Sequence, residues 1–239
     1  MPIDEIEVPG SSISFKVWRF QADSMPKLFQ KMMKEGDVFD IAAEIPGFHD
    51  CDGNDRLIRG FYSAVVPFEV EHLVDGMMTK EAMKRIEHCE FLAVKNFLFT
   101  TGKAAPQKPL SHSLSLLTGY GVALQEFEFQ HLSQFHDRLS QLKSIALSNP
   151  KDREIRRARL TGHIESYTEY NVIDPRNHGI ESVSGIVDSP LGPMTVTVSR
   201  RGGLRLGVRK GFILTLDCLL WVMALILDEK PPQNVQKRS

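Results

Sequence analysis

The residues of this chain best suited to chemistry are basic. They lie on a run of alternating segments between residues 153 and 228. Seven of its cations, Arg157, Arg159, Arg200, Arg201, Arg205, Arg209 and Lys210, fall on or beside segments that read as strands. Cations held on a rigid strand surface bind phosphate oxygens by charge-assisted hydrogen bonds, and they release counterions when they meet a polyanion. Residues 156–172 place Leu160, Gly162, Ile164, Tyr170 and Val172 on one parity. Arg157, Arg159, Thr161, His163, Glu165 and Tyr167 fall on the other. That period of two predicts a strand with one dry and one wet face.

Further strands are expected near residues 181–188, 194–200 and 204–210. Ser189-Pro190-Leu191-Gly192 suits a type I turn. A three-residue loop, Arg201-Gly202-Gly203, would set Val198 opposite Leu206 and Val196 opposite Val208, with a glycine in the left-handed position. The opposite face would then carry Thr195, Thr197, Ser199, Arg205 and Arg209, a hydroxyl-and-guanidinium surface suited to phosphate.

Other groups are weaker candidates. His49-Asp50-Cys51-Asp52 with Asp55 is dense in ligands, but it lacks the glycine and final glutamate of a calcium-binding EF-hand loop and reads as a turn. Asp174, His178 and Glu181, with His163, Glu165 and Glu169 before them, are groups a metal-dependent hydrolase uses, without a diagnostic spacing. His88-Cys89 has no third partner for a nucleophile. The chain has no GxSxG, Walker, HExxH or GxGxxG motif and no Glu-x-Lys. The familiar hydrolase classes are thus disfavoured.

One short segment carries a resemblance. Arg59-Gly60-Phe61-Tyr62 resembles the opening of the ribonucleoprotein signature of RNA-recognition modules, with Ser63 where that signature has an aromatic. By parity Lys16 and Trp18 would share a sheet face with Arg59 and Phe61. The resemblance implies base stacking there, and the alternative is that these aromatics belong to a core.

The elements that must position these residues follow from periodicity. Residues 12–20 alternate as a strand. A helix follows, capped by Asp23 or Ser24, with Pro26 in its first turn and Leu28, Phe29, Met32 and Met33 as its stripe, stopping at Gly36. Strands are expected at 37–45, at 57–70 with a bend at Pro67, and at 91–100, and 46–55 reads as a polar loop. A helix over 79–89 would face Met83 and Ile86 inward. This order is β-α-β-β-α-β, the ferredoxin-like arrangement. Residues 101–111 read as a connector, with a short helix near 113–117 and a strand near 123–129. A helix starting at Ser133 shows Leu132, Phe135, Leu139, Leu142 and Ala146 at spacings of three and four, and Asn149-Pro150 ends it.

The apolar run 212–227 would span about 24 Å as a helix, short of a bilayer core of about 30 Å. With Asp217 at its middle it reads as a buried helix, and an arginine is the expected partner of that carboxylate. The chain is therefore read as α+β: a ferredoxin-like half (11–100), a connector (101–111), a helix and antiparallel meander closed by an apolar helix (112–228), and a polar tail (229–239).

Composition bounds the function without choosing it. The chain has 239 residues, 42% hydrophobic and 25% charged, with a formal net charge of -1. Charge is unevenly spread: residues 1–100 carry 17 acidic against 11 basic side chains, and the rest 13 against 18. Three cysteines without a CxxC pair fit a reducing compartment, and the acidic start lacks a signal-peptide pattern, so a cytoplasmic location is expected. The expectation is a non-catalytic nucleic-acid-binding protein or subunit, for DNA or RNA, without cofactor, metal or membrane. A protein-interaction subunit or homo-oligomer is the first alternative, and a metal-dependent hydrolase the second.

Overall fold

The computed structural model describes residues 2–74, 77–148, 157–162 and 179–229. In chain order the elements are β1 (Glu5–Glu7), β2 (Ser12–Arg19), α1 (Met25–Glu35), β3 (Gly47–Gly53), β4 (Leu57–Val74), β5 (Met77–Val94) and β6 (Phe97–Gly102). They continue with α2 (Gln107–Thr118), β7 (Ala123–Leu124), α3 (Phe129–Asp137), β8 (Gln141–Ser148) and β9 (Arg157–Thr161). The last are β10 (Gly179–Ser189), β11 (Gly192–Ser199), β12 (Gly203–Gly207), β13 (Ile213–Thr215) and α4 (Leu216–Leu227). The protein is thus mixed α and β with mostly antiparallel strands. It forms two compact units, one of Val17–Ala123 and one of Met1–Lys16 with Leu124–Ser239.

In the first unit β3, β4, β5 and β6 are antiparallel neighbours in chain order. Ser24 caps α1 by accepting from the Lys27 amide, and Pro26 fits its first turn, where no amide donor is needed. Met25, Leu28 and Met32 turn inward. They join Phe48, Ile58, Tyr62, Phe91 and Leu98 from the strands and Leu110 and Leu114 from α2 in one apolar core. Phe48 meets Tyr62 and Phe91 edge to face at 5.0 and 5.7 Å, a preferred aromatic geometry.

In the second unit the strand order is β2-β12-β11-β10-β8-β9, antiparallel throughout. Alternation sends Ile13, Phe15, Ile145, Val183, Val196, Val198, Leu204 and Leu206 to one buried face. On that side α3 and α4 pack on β10 and on each other, burying Leu132, Phe135, Leu219, Val222 and Ile226. Each such fully buried side chain favours folding by roughly 1.5–3 kcal/mol. A separate two-stranded pair joins β1 to β13.

Several expectations are corrected. Residues 79–89 are not a helix but part of β5, paired residue by residue with β4 from Leu57↔Val94 to Val74↔Met77. The order in the first unit therefore departs from the ferredoxin-like β-α-β-β-α-β. Residues 37–45 hold only isolated bridges, Val38↔Phe48 and Asp40↔Ile45. The strand lies instead at β3, where a loop was expected.

The stretch 101–111 is largely structured, since β6 reaches Gly102 and α2 opens at Gln107. Only Ala123 and Leu124 of the strand expected at 123–129 are extended, and Phe129 already opens α3. The helix expected from Ser133 ends at Asp137, and residues 141–148 are strand β8. In α4, Asp217 sits in the first turn rather than the middle, where the helix dipole favours a carboxylate. Among the described residues no helix is long and apolar enough to cross a membrane.

Candidate nucleic-acid interface

The face of the second unit opposite α3 and α4 is polar, and register orders it into rows across the strands. The first row reads Lys16, Gly203, Ser199, Ser182, Ala146, Arg159. Two residues along, the second row reads Ser14, Arg205, Thr197, Ser184, Ser144, Thr161. A third begins Ser12, Gly207, Thr195, Ile186. Arg157, opposite Ser148, lies on the same parity as Arg159. The sequence folds this way because a strand with period two must bury its valines and leucines, which leaves the intervening serines, threonines and cations to solvent.

The β11–β12 hairpin shows how register is set. Its loop has three residues, as expected, but they are Arg200, Arg201 and Gly202, not Arg201 to Gly203. Val198 therefore faces Leu204 and Val196 faces Leu206. A shift of two keeps the apolar pairing, so the sequence pattern alone could not separate the two registers. Gly202 takes the left-handed conformation at φ 66°. Ser199 Oγ accepts from the Gly203 amide at 3.1 Å, and a Cβ on Gly203 would collide with that hydroxyl.

Lys16, Lys143, Arg157, Arg159 and Arg205 are all exposed. Among the described residues none of these five forms a salt bridge with an acid. Lys16 Nζ donates to the Arg201 carbonyl at 3.3 Å, and Arg205 donates to Ser12 Oγ at 3.0 Å. Lys143, the extra residue of a bulge in β8, donates from Nζ to Thr195 Oγ1 at 3.0 Å. Ser184 and Thr197 share a hydrogen bond of 2.7 Å across the strands. Arg200 is the exception among the cations, since it stands 3.8 Å from Glu181. Asp188, opposite Pro193, adds one exposed carboxylate at the edge.

Arg201 and Lys210 are exposed in loops. Arg209 lies past the end of β12 and lines an open cleft of about 340 Å³ with Ser11, Pro193, Thr195 and Gly207. Lys143 is the member of this surface that sequence reasoning missed, because residues 133–148 read as one helix.

The aromatic candidates of the first unit are not assembled as expected. Trp18 is half-buried against the apolar core, and its indole donates to Thr100 Oγ1 at 3.0 Å. Thr100 is in register with Phe91 and Gly60, whereas Arg59 is in register with Leu92 and Phe61 with Glu90. Trp18 therefore lies on the opposite face from Arg59 and Phe61, and Lys16 belongs to the other unit's rows. Arg59 is held in an ion pair of 2.6 Å with Glu90. Phe61 is stacked on His49 at 5.5 Å and meets His88 edge-on.

His49 also makes a contact absent from the sequence reading. Its Nδ1 lies 2.9 Å from Asp50 and its Nε2 2.8 Å from Ser63 Oγ. This Ser-His-Asp sequence of contacts has the spacing of a hydrolytic triad, with Ser63 only 2% exposed. The contacts lie at the irregular stretch of the β3–β4 register, where Asp50 has a positive φ of 49°.

Burial pushes the Cys51 thiol up to about 11, helped by the charge of Asp50. Burial likewise pushes Cys89 up to about 12 and Cys218 up to about 11. A nucleophilic cysteine needs the reverse shift. His163, Glu165, Glu169, Asp174 and His178 lie outside the described residues. Among the described residues no three His, Cys, Asp or Glu side chains stand close enough to hold a metal ion. No family model matches the chain, and no curated protein matches it.

Proposed function

We propose that this chain is a non-catalytic nucleic-acid-binding protein or subunit that holds phosphate backbones on the polar face of β2, β12, β11, β10, β8 and β9. The observation that carries the reading is the set of register rows, which bring Lys16, Arg205 and Arg159 from three distant stretches of sequence onto one face rich in hydroxyls. Half or more of protein–nucleic acid hydrogen bonds go to phosphate and sugar, from such side chains. Recognition is electrostatic and independent of base sequence. Three free cysteines fit a reducing compartment, for which the cytoplasm is our proposal.

The test is a salt titration of binding by anisotropy with Arg159→Ala/Arg205→Ala. The slope of log affinity against log salt is expected to fall by about 0.9 for each lost contact. An unchanged slope in the double variant would remove this face from consideration.

A second reading, association with another copy of the chain, is favoured by the β4–β5 hairpin. β3 pairs with β4 only over 58–63, and β6 with β5 only over 89–93, so among the described residues the outer hairpin has two open edges. Leu73, Met77 and Met78 near its tip are 67%, 69% and 64% exposed. Exposed apolar strand edges are pairing sites. Light scattering tests this, and a monomer at every concentration would contradict it.

A further inference from the structure

We propose that the ligand of the polar face is double-stranded nucleic acid, its two phosphate backbones resting on two cationic margins. This rests on the reading above and goes on to name the form of the ligand. The cations are not spread evenly over the face. Lys16 and Arg205 stand on β2 and β12 at one side. Arg157 and Arg159 stand on β9 at the other, with Lys143 on the neighbouring β8. Between the margins the first two rows carry Ser199, Ser182, Thr197 and Ser184, all uncharged and short, with the Lys143 ammonium reaching Thr195 on β11 and the carboxylates of Glu181 and Asp188 on β10.

Four strand steps separate β12 from β9 and five separate β2 from β9, which at roughly 4.8 Å each sets the margins about 19–24 Å apart. A duplex presents two phosphate strands flanking a groove of roughly 12 Å in B-DNA. Lys143 already reaches inward from β8 to Thr195 of β11, whereas Arg205 is turned toward Ser12 on β2 and would swing inward on binding. A single strand has one backbone and could satisfy only one margin at a time.

The chemistry between the margins points the same way. Binding of single strands gains much of its strength from aromatic rings on which bases stack, and among the described residues none of the three rows contains an aromatic. Phe15, the aromatic of β2 in this unit, is 5% exposed on the opposite face. What the centre offers is a hydroxyl floor that can hydrogen-bond sugar, phosphate or groove edges without excluding a convex duplex.

The experiment is an anisotropy titration of the full chain with single-stranded and duplex oligonucleotides of equal length and sequence. It is run on the native protein and on two margin variants, Lys16→Ala/Arg205→Ala and Arg157→Ala/Arg159→Ala. The duplex is expected to bind about tenfold tighter than the single strand. Each margin variant is expected to lower the duplex salt slope by about 1.8. All four side chains are exposed, so unchanged melting midpoints serve as the folding control. A single strand that binds as tightly as the duplex would overturn the proposal while leaving backbone binding intact. So would a margin variant that leaves duplex binding unchanged. Absence of salt-dependent binding to either form would overturn the underlying reading as well.

Discussion

Arg205 brings one full positive charge to the polar face on a single exposed side chain. It stands opposite Thr197 on one neighbouring strand and Ser14 on the other, with its guanidinium donating to Ser12. Replacing it by alanine removes one surface cation and no core atom. Folding stability should therefore change by no more than about 0.5 kcal/mol, while the salt slope of binding falls by about 0.9. A urea melt and an anisotropy titration of Arg205→Ala check both halves. The cysteines make a second residue-scale case. Their thiols are held neutral well above the ordinary 9.0, so thiol reagents should label the native protein slowly at pH 8 and the denatured protein at once. A group whose value rises on folding contributes its stability below the unfolded value and loses it as pH climbs through the folded one. The contribution should be flat up to about pH 9 and decline between there and the values of about 11 to 12. A melting midpoint that falls steadily from neutral pH would point to other groups. At this scale Arg157, Arg159 and Arg205 were legible in the sequence from parity alone. The His49–Ser63 contact was not, because it joins residues brought together only by strand pairing.

Among the elements, local signals succeeded where one pattern spanned one segment. Ser24, Pro26 and Gly36 bound α1 as their types suggest. They failed where helical spacing arose by coincidence. Thr79, Met83 and Ile86 look like a cap and a stripe, yet they lie on β5, whose 18 residues pair with all of β4. The Asp75-Gly76 dipeptide between the two apolar runs is a hairpin signal, and it outranks a three-residue spacing. Leu132, Phe135, Leu139, Leu142 and Ala146 likewise straddle α3 and β8, and the burial of Ile145 and Leu147 is what betrays the strand. Gly202→Val forces a β-branched residue into the left-handed position of the β11–β12 turn, so the denaturant midpoint should fall by the equivalent of about 1–2 kcal/mol. An unchanged midpoint would mean that the turn relaxes freely. Leu73→Lys/Met78→Lys on the β4–β5 hairpin should leave the melting temperature unchanged and abolish any concentration-dependent self-association seen by light scattering.

For the whole molecule, net charge is a poor guide. A balance of -1 gives no reason to expect a polyanion ligand, yet folding gathers Lys16, Lys143, Arg157, Arg159 and Arg205 from three parts of the chain onto one face. The strand-rich, antiparallel character of residues 181–210 was readable from turn residues and alternation. The division into units was not, because Lys16 and Val17, adjacent in β2, fall in different ones. The most direct measurement is titration of a labelled duplex with the full chain at about 50 and about 200 mM salt. If all five cations contact phosphate, affinity should fall roughly 500-fold between the two conditions. Equal affinity at both salts, or no binding at the lower one, would contradict backbone recognition by this face.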